Sequence, residues 1–482
     1  MPSTLTTYQQ ALEFLFNRIN YERVQSSAYS AGDFKLNRMR GLLERLGNPQ
    51  ERIPVVHIAG TKGKGSTAVM VASILQAAGY RVGLFTSPHI SKFEERMTVN
   101  GLQPSEIEIV ELVNELLEPV GELDQESGGG GMSPTYFEIT TAMAWQYFSR
   151  QQADVVVLEV GLGGRLDATN VCHPEVCVIT SISRDHMHLL GSEIHQIARE
   201  KAGIIKSGVP VISGVVNSPA KEVIEEVCQL RNAPLRQLGH DFRYRHVTSA
   251  VADACVADAA SVGPAGVDAD AGSIRHVAAI GGQVSVTTAR ESFDDLPLPL
   301  LGEHQAHNAA LAVMAVAELR DRGWKIAAEA LRFGLRQVRW PARIEVVSRD
   351  PLVIVDAAHN WASIAALIKT LDEHFSARSR IAIFAATRDK DVQGMLRQLL
   401  PRFETIILTC YLSNPRSVPV EQLYAMTRTV SDRHVHLARE PRAAWDLARR
   451  LVGPNDLICI TGSFFIAAEI RAFLNDLQPN AT

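Results

Sequence analysis

The glycine-rich loop at residues 60–66 constrains the fold more than any other feature of this sequence. It follows a β-branched run at residues 53–59, which predicts a buried strand, and it precedes a helical pattern at residues 66–78 that Gly79 ends. A loop between a strand and a helix turns its backbone N–H groups inward, and the helix N-terminus adds partial positive charge. The glycine-rich loop therefore predicts a nucleotide phosphate site, in which Lys64 reaches the terminal phosphates.

The spacing of the glycine-rich loop differs from the usual phosphate-loop pattern. Gly65 lies between Lys64 and Ser66, and the first glycine comes three residues before the second. Glycines also mark ordinary strand–helix turns, so a structural turn is the alternative interpretation. The lysine, the hydroxyl side chains and the strand–helix context favour the phosphate site. The predicted nucleotide-binding residues of the loop are Gly60, Thr61, Gly63, Lys64, Gly65 and Ser66.

Short apolar runs alternate with helical stretches along most of the chain. Runs at residues 81–85, 154–160, 176–182 and 209–216 predict further strands, and their continuous apolar character is typical of a parallel sheet covered on both faces. Runs at residues 352–355, 381–385, 405–409 and 457–461 predict a second sheet. We expect an α/β protein with a P-loop domain, built on a doubly wound and mostly parallel sheet, and a second, smaller α/β domain. The expected limits are residues 1–339 for the first domain, 340–343 for the junction and 344–482 for the second.

Two stretches interrupt this alternation. Residues 121–133 are polar and rich in glycine, which predicts a mobile surface loop. Residues 249–282 are rich in Ala, Gly, Asp and Val without clear periodicity, which predicts an insertion or a hairpin excursion on the domain surface.

Composition and charge make several classes of protein improbable. The formal net charge of −5 gives no reason to expect nucleic acid or an anionic membrane as a partner. The six cysteines form no CxxC pair, so neither a disulfide framework nor a structural zinc site is expected. Residues 1–24 predict an amphipathic helix in place of a signal peptide, and no run of about 18 apolar residues occurs. We expect a cytoplasmic protein.

Acidic and histidine side chains follow three of the predicted strands. Glu159 lies at the edge of a parallel sheet where ligands bind, and Mg²⁺ prefers one or two carboxylates together with phosphate and water. A structural ion pair is the alternative role for Glu159. His186 follows the run at residues 176–182, where it either ligates a metal or is an ordinary polar residue. Asp356 directly follows the run at residues 352–355, a position that suits a contact with ribose or, through water, with phosphate.

Two basic residues complete the candidate set. Lys201 lies in a helical stretch, where a lysine is usually a solvated charge. The apolar run that follows it favours partial burial, which lowers the pKa of a lysine and frees its amine for chemistry. Arg343 lies at the predicted junction, from where a guanidinium can reach phosphate.

Together these motifs resemble the folylpolyglutamate synthase and dihydrofolate synthase family, within the Mur ligase superfamily. The resemblance spans nearly the whole chain and includes several motifs in the family's order, which is more specific than any one of them. Besides the glycine-rich loop, they lie at residues 37–50, 85–89, 135–138, 159–170, 185–191, 199–206, 298–312, 340–343 and 356–360. The departures are Lys62, where many members have asparagine, Trp361, where proline is common, and the stretch at residues 249–282.

The resemblance implies roles that spacing alone does not give. It implies that Lys201 is carbamylated, which turns a cation into an anion near the metals. It implies that magnesium is bound by Ser87, Glu159 and His186, and that ATP is contacted by Asn308, Arg343 and Asp356. Catalysis is implied for Lys64, Lys201 and His186. Substrate binding is implied for Thr135, Phe137, Asp167 and His359.

The resemblance also implies a reaction. The expected enzyme is an ATP- and Mg²⁺-dependent ligase that adds L-glutamate to a folate-type carboxylate, of dihydropteroate, a tetrahydrofolate or both, through an acyl phosphate. Its expected partners are these small molecules, and a monomer is expected.

Two alternatives to this reaction remain open. A peptidoglycan Mur ligase, as another amide ligase of the superfamily, carries a threonine directly after the loop lysine and a nucleotide-sugar domain ahead of the loop, whereas only 59 residues precede Gly60 here. A non-catalytic nucleotide-binding protein would be expected to lack Lys64, Glu159, His186 or Lys201, and all four are present.

Overall fold

A computed structural model describes residues 4–23, 36–126, 133–248 and 281–476 of the chain. It contains two compact units. Among the described residues, the first comprises 4–23, 36–126, 133–246, 284–298 and 304–338, and the second comprises 247–248, 281–283, 299–303 and 339–476. The domain limits expected from the sequence stay a prediction.

A seven-stranded sheet forms the centre of the first unit. Its strands are β1 (Val55–Ala59), β2 (Val82–Phe85), β3 (Met97–Val99), β4 (Val155–Glu159), β5 (Val176–Ile179), β6 (Val211–Ser213) and β7 (Leu235–Gln237). They lie in the order β3-β2-β4-β1-β5-β6-β7, and every neighbouring pair is parallel except β2 and β3. The inner strands are buried along their whole length, which explains why their sequences are continuous apolar runs.

Helices cover this sheet in two apolar clusters. They are α1 (Tyr8–Phe16), α2 (Leu36–Arg45), α3 (Lys64–Ala77), α4 (Glu106–Glu126), α5 (Tyr136–Arg150), α6 (Met187–Leu190), α7 (Ile194–Ala202), α8 (Ser218–Leu230), α9 (Glu303–Asp321) and α10 (Ala328–Gln337). Three 3₁₀ turns lie at Pro49–Glu51, Phe93–Arg96 and Ala168–Val171. One cluster joins α1, α2, α4 and α5 to the strands, and the other joins α7 and α8 to them.

A separate three-stranded sheet follows β7. Its strands are β8 (Phe242–Val247), β9 (Gly282–Thr288) and β10 (Ser292–Leu298), in the order β10-β9-β8. The sequence did not predict this sheet. Apart from residues 281 and 282, the insertion expected after residue 248 lies outside the described residues.

The second unit is built on a six-stranded sheet. Its strands are β11 (Glu345–Arg349), β12 (Leu352–Val355), β13 (Arg380–Phe384), β14 (Thr405–Leu408), β15 (His436–Leu437) and β16 (Leu457–Thr461). They lie in the order β11-β12-β16-β13-β14-β15, and only β11 and β12 pair antiparallel. The helices are α11 (Trp361–His374), α12 (Val392–Leu399), α13 (Val420–Arg428), α14 (Pro441–Leu451) and α15 (Phe464–Asp476).

The α/β class with mostly parallel sheets is therefore confirmed, whereas one predicted loop is wrong. The polar stretch expected to form a loop from Gly121 is helical as far as Glu126, because α4 continues through it. Val120 and Leu123 are buried there, so packing of one helix face outweighs the local polarity. Residues 127–132 of that stretch lie outside the described residues.

Two further observations concern the described residues. None of their helices combines the length and the apolar character that a bilayer crossing requires. The five cysteines among them are all free thiols: Cys172, Cys177, Cys228, Cys410 and Cys459.

Candidate active site

The glycine-rich loop connects β1 to α3 at the carboxyl edge of the seven-stranded sheet. Because β1 lies between β4 and β5, the loop starts from the middle of the sheet. Gly60 has a φ of +150°, and a Cβ at this position would lie 1.9 Å from Thr180 Oγ1. Gly63 has a φ of +86°, and a Cβ there would lie 2.2 Å from Asn308 Oδ1. Only glycine fits at these two positions, because both the backbone angle and the close neighbours exclude a side chain.

Asn308, which the resemblance assigns to ATP, lies on α9 directly against this loop. Its side-chain amide donates a hydrogen bond to Gln305 Oε1 at 3.1 Å. Both side chains are buried. Gln305 therefore holds the Asn308 amide in place next to Gly63, the residue that precedes α3.

The glycine-rich loop is also tied to the segment that follows β5. Thr61 N–H donates to Ser181 O at 2.7 Å, and the Thr61 hydroxyl donates to Ser183 O and accepts from Ser183 N–H. Lys62 N–H donates to Ser181 Oγ at 3.1 Å, and Lys62 O accepts from the hydroxyls of Thr180 and Ser181. These bonds fix the loop relative to the neighbouring strand end.

The predicted metal ligands Ser87 and Glu159 are hydrogen-bonded to each other, and Glu159 lies next to Lys64. Glu159 ends β4 and is 5% exposed. Its Oε2 accepts a hydrogen bond from Ser87 N–H at 3.1 Å, and its Oε1 lies 3.9 Å from Lys64 Nζ. A carboxylate beside a phosphate-loop lysine is a suitable position for Mg²⁺, which prefers a carboxylate together with phosphate oxygens.

His186 is joined to the glycine-rich loop through Asp185. Asp185 Oδ2 lies 2.9 Å from Lys62 Nζ, and Asp185 Oδ1 accepts a hydrogen bond from His186 N–H at 3.1 Å. His186 itself has a φ of +48°, in the left-handed region that a residue other than glycine adopts rarely. The side chains of Lys62 and Asp185 are 28% and 13% exposed, so this ion pair is partly shielded from water.

Lys201, which was expected to be partly buried, is 5% exposed on α7. Its Nζ donates a hydrogen bond to Gly60 O at 2.9 Å. Burial, and then the charge of nearby Lys64, lowers the pKa of Lys201 to about 7, although Asp185 acts in the opposite direction. Because this pKa lies near neutrality, a large share of the amine is uncharged at neutral pH.

Thr135 is the N-cap residue of α5 and is held by Glu138, which belongs to a buried ion pair. Its Oγ1 caps the helix by accepting from Glu138 N–H, and Glu138 Oε2 accepts from both the N–H and the hydroxyl of Thr135. Arg38 Nε donates to both carboxylate oxygens of Glu138, at 2.9 and 2.8 Å. The pair is buried on both sides, with side-chain exposures of 5% and 7%. Thr135 is therefore fixed by the fold, and its predicted contact with substrate stays a prediction.

Phe137 and Asp167 both lie against the loop that follows Glu159. The Phe137 ring packs so closely that a Cβ on Gly161 would lie 2.4 Å from it. Asp167 Oδ2 accepts from Leu162 N–H at 2.7 Å, and its Oδ1 accepts from the N–H and the hydroxyl of Thr169 at 3.0 and 2.5 Å. Burial raises the pKa of Asp167. Asp167 thus stabilises this loop, and its role in substrate binding stays a prediction.

Arg343, Asp356 and His359 belong to the second unit and form a group of their own. Asp356 is 7% exposed, and its two oxygens accept from Ile344 N–H and Ala358 N–H, each at 2.9 Å. Burial raises the pKa of Asp356, and the Arg343 charge opposes this shift. His359 Nδ1 lies 2.9 Å from Ala357 O. The contacts of these three residues with ATP and substrate stay predictions.

The residues on both sides of Arg343 have a rare backbone conformation. Its neighbours Ala342 and Ile344 have φ angles of +52° and +50°. The guanidinium lies 5.5 Å from the centre of the Phe464 ring. A β-branched residue in the left-handed region is strained, and such strain persists only where the surroundings enforce it. Here the Asp356 carboxylate, which accepts from Ile344 N–H, supplies part of that constraint.

Sequence reasoning missed two ion pairs. Lys62 was noted only as a departure from the family, and Asp185 had no assigned role, although the two form an ion pair at the glycine-rich loop. A carboxylate between a buried strand and His186 was the available signal. The Arg38–Glu138 pair was also missed, but the Thr135-x-x-Glu138 spacing is that of a capping box, which could have located the start of α5.

Within the described ranges, no group of three or more His, Cys, Asp or Glu side chains is arranged to hold a metal ion. A dedicated protein cage for a metal is therefore not found there. The predicted set of Ser87, Glu159 and His186 has one carboxylate, which suits an ion that takes its other ligands from water and phosphate.

Two family models match the chain. The Mur ligase middle domain matches residues 58–316, and the Mur ligase glutamate ligase domain matches residues 342–464. The first match contains the glycine-rich loop, Glu159 and Lys201, and the second contains Arg343 and Asp356.

Curated relatives are similar over nearly the full length. The dihydrofolate synthase/folylpolyglutamate synthase of Bacillus subtilis (strain 168) is 37% identical over 472 residues, which cover 97% of this chain and 99% of the relative. The protein of the same name from Mycobacterium tuberculosis is 38% identical over 432 residues, which cover 87% of this chain and 83% of the relative.

Solved structures agree with these relatives. The Mycobacterium tuberculosis folylpolyglutamate synthase complexed with ADP has a TM-score of 0.83 at 33% identity, covering 98% of this chain and 99% of that one. The Escherichia coli FolC in complex with DHPP and ADP has a TM-score of 0.79 at 30% identity, covering 99% of each chain.

Proposed function

The chain belongs to the folylpolyglutamate synthase and dihydrofolate synthase family of Mur ligases, and we propose on this basis that it joins L-glutamate to a folate-type carboxylate in an ATP-dependent reaction. The observation that carries the proposal is the position of Lys64, on the glycine-rich loop and beside Glu159, in a chain that matches these ligases nearly end to end. Relatives named for either activity match the chain, so both dihydropteroate and tetrahydrofolate are proposed as acceptors.

The proposed reaction has two steps. A carboxylate oxygen of the folate-type substrate attacks the γ-phosphorus of ATP, ADP leaves, and an acyl phosphate forms. The amine of glutamate then attacks the acyl carbon, phosphate leaves with the electron pair of the C–O bond, and the new amide nitrogen loses a proton. Transfer of a phosphoryl group depends mainly on positioning and on neutralising charge.

The residues of the glycine-rich loop support the first step. Its backbone N–H groups and the start of α3 favour phosphate, and the Lys64 ammonium compensates the charge on the transferred group. Asn308, held by Gln305 beside Gly63, is proposed to contact ATP, and so are Arg343 and Asp356 of the second unit.

Magnesium fits the chemistry of the residues at the strand ends. Glu159 supplies a carboxylate next to Lys64, and we propose that Ser87, Glu159 and His186 hold the ion. When bound, Mg²⁺ would neutralise phosphate charge during the transfer. Carbamylated Lys201 would add a negative charge beside Lys64, which the uncarbamylated ammonium cannot do.

The test uses purified protein with ATP, Mg²⁺ and glutamate. We expect formation of ADP and of a glutamylated product with dihydropteroate and with tetrahydrofolate as acceptor. ADP formation that depends on neither acceptor would reject the folate assignment. Binding of ADP without any turnover would favour a non-catalytic nucleotide-binding protein.

Lys64→Ala tests the role of the glycine-rich loop. Removing a cation that acts on the transferred group typically lowers kcat by about 10²–10³-fold, and we expect a loss of this size. Lys325→Ala is the control, because Lys325 is an exposed lysine of the same unit and has no role in the proposed reaction. A Lys64→Ala protein with full ATP-dependent ligation would contradict the mechanism.

A further inference from the structure

A buried chain of hydrogen bonds connects the middle of the seven-stranded sheet to the loop that follows Glu159. We propose that His57 is a positioning residue for the acceptor site: it orients the Thr169 hydroxyl onto Asp167, and Asp167 holds the loop at residues 160–167. The inference rests on the proposed function, because it assumes that this loop contacts the folate-type acceptor.

His57 is a polar residue in an otherwise apolar strand. It lies at the centre of β1 and is fully buried. Its Nε2 lies 2.9 Å from Thr169 Oγ1, and its Nδ1 lies 3.8 Å from Cys172 Sγ. A buried polar ring costs free energy unless its nitrogens find partners, so these two contacts give the imidazole one defined orientation.

Asp167, at the other end of the chain, sets the direction of the hydrogen bonds. Its Oδ2 accepts from Leu162 N–H at 2.7 Å, and its Oδ1 accepts from Thr169 N–H at 3.0 Å. Burial raises the pKa of Asp167, but these backbone donors oppose the shift and favour the carboxylate. The Thr169 hydroxyl therefore donates to Oδ1, at 2.5 Å, and its oxygen accepts from His57. This places the imidazole hydrogen on Nε2.

The surroundings of His57 also keep its ring neutral. Burial, and then the charge of Lys206, lowers the pKa of His57 to about 3. A neutral imidazole has one hydrogen, so with that hydrogen on Nε2 the Nδ1 atom can only accept. Burial raises the pKa of the Cys172 thiol to about 12, so the thiol keeps its proton and can donate it to Nδ1. Every hydrogen bond of the chain therefore points the same way, from the thiol towards the Asp167 carboxylate.

The loop that Asp167 closes is rich in glycine and packs against two residues of the proposed site. Three of its first five residues are glycines, which lose more conformational freedom on folding than other residues do. A Cβ on Gly161 would lie 2.4 Å from the Phe137 ring, and a Cβ on Gly164 would lie 2.9 Å from Lys201 O. A shift of this loop would therefore alter the packing at Phe137, a proposed acceptor contact, and at the backbone of Lys201.

Asn170 anchors the far end of the same segment without help from His57. Its Nδ2 donates to Arg165 O and to Gly203 O, each at 3.0 Å. These bonds remain when His57 is replaced. Loss of the chain should therefore loosen the first half of the loop and leave the rest of the segment folded.

The experiment measures ligation by the full-length protein, with KM determined separately for the acceptor, for ATP and for glutamate. His57→Gln keeps an N–H donor for Thr169, whereas His57→Met fills the site with a flexible apolar side chain. Thr169→Ser keeps the hydroxyl, whereas Thr169→Val removes it at nearly the same volume. Thr427→Val is the matched control, because Thr427 is equally buried and its hydroxyl donates to a carbonyl within α13.

We expect His57→Met and Thr169→Val each to raise the KM for the acceptor about tenfold, the size expected for a hydrogen bond in a buried charged network. The KM for ATP should stay within about twofold of the wild type, because the glycine-rich loop keeps its own hydrogen bonds. The double variant His57→Met/Thr169→Val should show about the same tenfold rise as either single variant, because both changes break one chain. His57→Gln, Thr169→Ser and Thr427→Val should stay close to the wild type.

A second measurement reports the chain itself. In ¹⁵N NMR of histidine-labelled protein, His57 is identified by the signals that His57→Gln lacks. We expect a neutral ring with its hydrogen on Nε2 from about pH 5 to about pH 8, the range in which an exposed histidine titrates. Melting temperatures and ADP binding show which variants are folded, and if His57→Met is not, the comparison of Thr169→Val with Thr169→Ser and the NMR spectrum carry the test.

Several outcomes would overturn the inference. A hydrogen on Nδ1, or a His57 ring that titrates in this range, would contradict the direction of the chain. An unchanged acceptor KM in folded His57→Met or Thr169→Val, effects that multiply in the double variant, or an equal rise in the KM for ATP would contradict positioning of the acceptor site through Thr169. The NMR measurement needs no ligation, so a wild type that joins glutamate to neither acceptor would reject the proposed function and leave the chain separately measurable.

Discussion

Lys201 is buried beside the glycine-rich loop, and this burial makes the free energy of unfolding depend on pH. Because the pKa in the folded protein is about 7, against about 10.5 for an exposed lysine, the unfolded chain holds this proton more tightly between those two values. In CO₂-free buffer, where Lys201 stays an amine, the free energy of unfolding should therefore fall as the pH drops from about 10 to about 7, and this contribution should stay constant below that.

The same shift predicts when Lys201 can be carbamylated. Only the neutral amine reacts with CO₂, and about one tenth of it is neutral one pH unit below the pKa. We expect protein held in CO₂-free buffer at pH 6 to lose most of its ligation activity and to regain it with bicarbonate at pH 8. A carbonyl signal of the carbamate in ¹³C NMR, after labelling with ¹³C-bicarbonate, would report the modification directly.

Lys201→Arg provides the control for this prediction. Arginine keeps a positive charge, but it stays protonated and cannot form the carbamate. The variant should be inactive and should not respond to bicarbonate. An active Lys201→Arg protein would contradict a role for the carbamate.

The Arg38–Glu138 pair predicts a large effect from a single truncation. Arg38→Ala removes the cation from the buried Glu138 carboxylate, which keeps its hydrogen bonds from Thr135, and removing one partner of a buried pair costs about 3–5 kcal/mol of unfolding free energy. Arg45→Ala is the matched control: it lies on the same helix, pairs with the exposed Glu122 and Glu126, and should cost less than about 1 kcal/mol. Urea unfolding of both variants measures the difference, and equal losses would contradict the argument.

At the scale of single residues, the sequence predicted what depends on local context. Glu159, His186 and Asp356 were found because each follows a buried apolar run, and Lys64 because it lies between a strand and a helix. The pairs Lys62–Asp185 and Arg38–Glu138 join residues 123 and 100 positions apart. Nothing in the neighbourhood of either residue encodes its partner, so these contacts required the tertiary structure.

Helix α10 packs unusually closely on α3, the helix that begins at the glycine-rich loop. A Cβ on Gly334 would lie 2.5 Å from Ile74 Cα and 2.8 Å from Ser73 O, which are backbone atoms that cannot move aside. Ser73 Oγ also donates a hydrogen bond to Gly334 O at 2.7 Å. The backbones of α3 and α10 are therefore in direct contact, and this contact requires a residue without a side chain at position 334.

Gly334→Ala should destabilise the protein although alanine favours helix. The gain in helix propensity is about 1 kcal/mol, whereas forcing extra volume into a packed contact costs typically about 1–3 kcal/mol and more when backbone has to move. We expect a net loss of about 1–2 kcal/mol of unfolding free energy and weaker binding of ADP, because α3 would shift.

Gly121→Ala is the matched control for this substitution. Gly121 lies inside α4, and a Cβ there meets nothing within 4 Å. The variant should gain about 0.5–1 kcal/mol. Thermal unfolding of the two variants should therefore move in opposite directions, and a rise in melting temperature for Gly334→Ala would contradict the close contact.

Among the elements, α4 shows where local signals fail. Its polar, glycine-containing end predicts a loop, but Val120 and Leu123 are buried and the helix continues to Glu126. The inner strands of the two main sheets were predicted, because buried parallel strands form continuous apolar runs. The edge strands β3, β7, β11 and β15 were missed. The sheet of β8, β9 and β10 was missed, because none of its strands is a continuous apolar run and β10 contains a proline.

At the scale of the whole molecule, the alternation of strands and helices predicted the α/β class, and the family resemblance supplied the reaction. The alternation could not give the order of the strands, in which β1 lies between β4 and β5. That order brings the glycine-rich loop, Glu159 and the segment before His186 to neighbouring positions at one edge of the sheet. The assembly of the site therefore depends on topology, and only its separate parts were visible in the sequence.

Removing residues 249–280 should leave the ligation reaction intact, because none of the candidate site residues lies among them. The strands that flank this stretch, β8 and β9, are neighbours in one sheet, so a short connection can replace it. Shortening this stretch of about 30 residues to about 4 should raise the unfolding free energy by about 2 kcal/mol, because the entropic cost of bringing the ends of a segment together grows with its length. Ligation with either acceptor should keep its kcat and KM. A control protein with a Gly/Ser linker of the original length separates loop length from sequence, and a raised KM for the folate-type substrate in both proteins would show that this stretch contributes to the site.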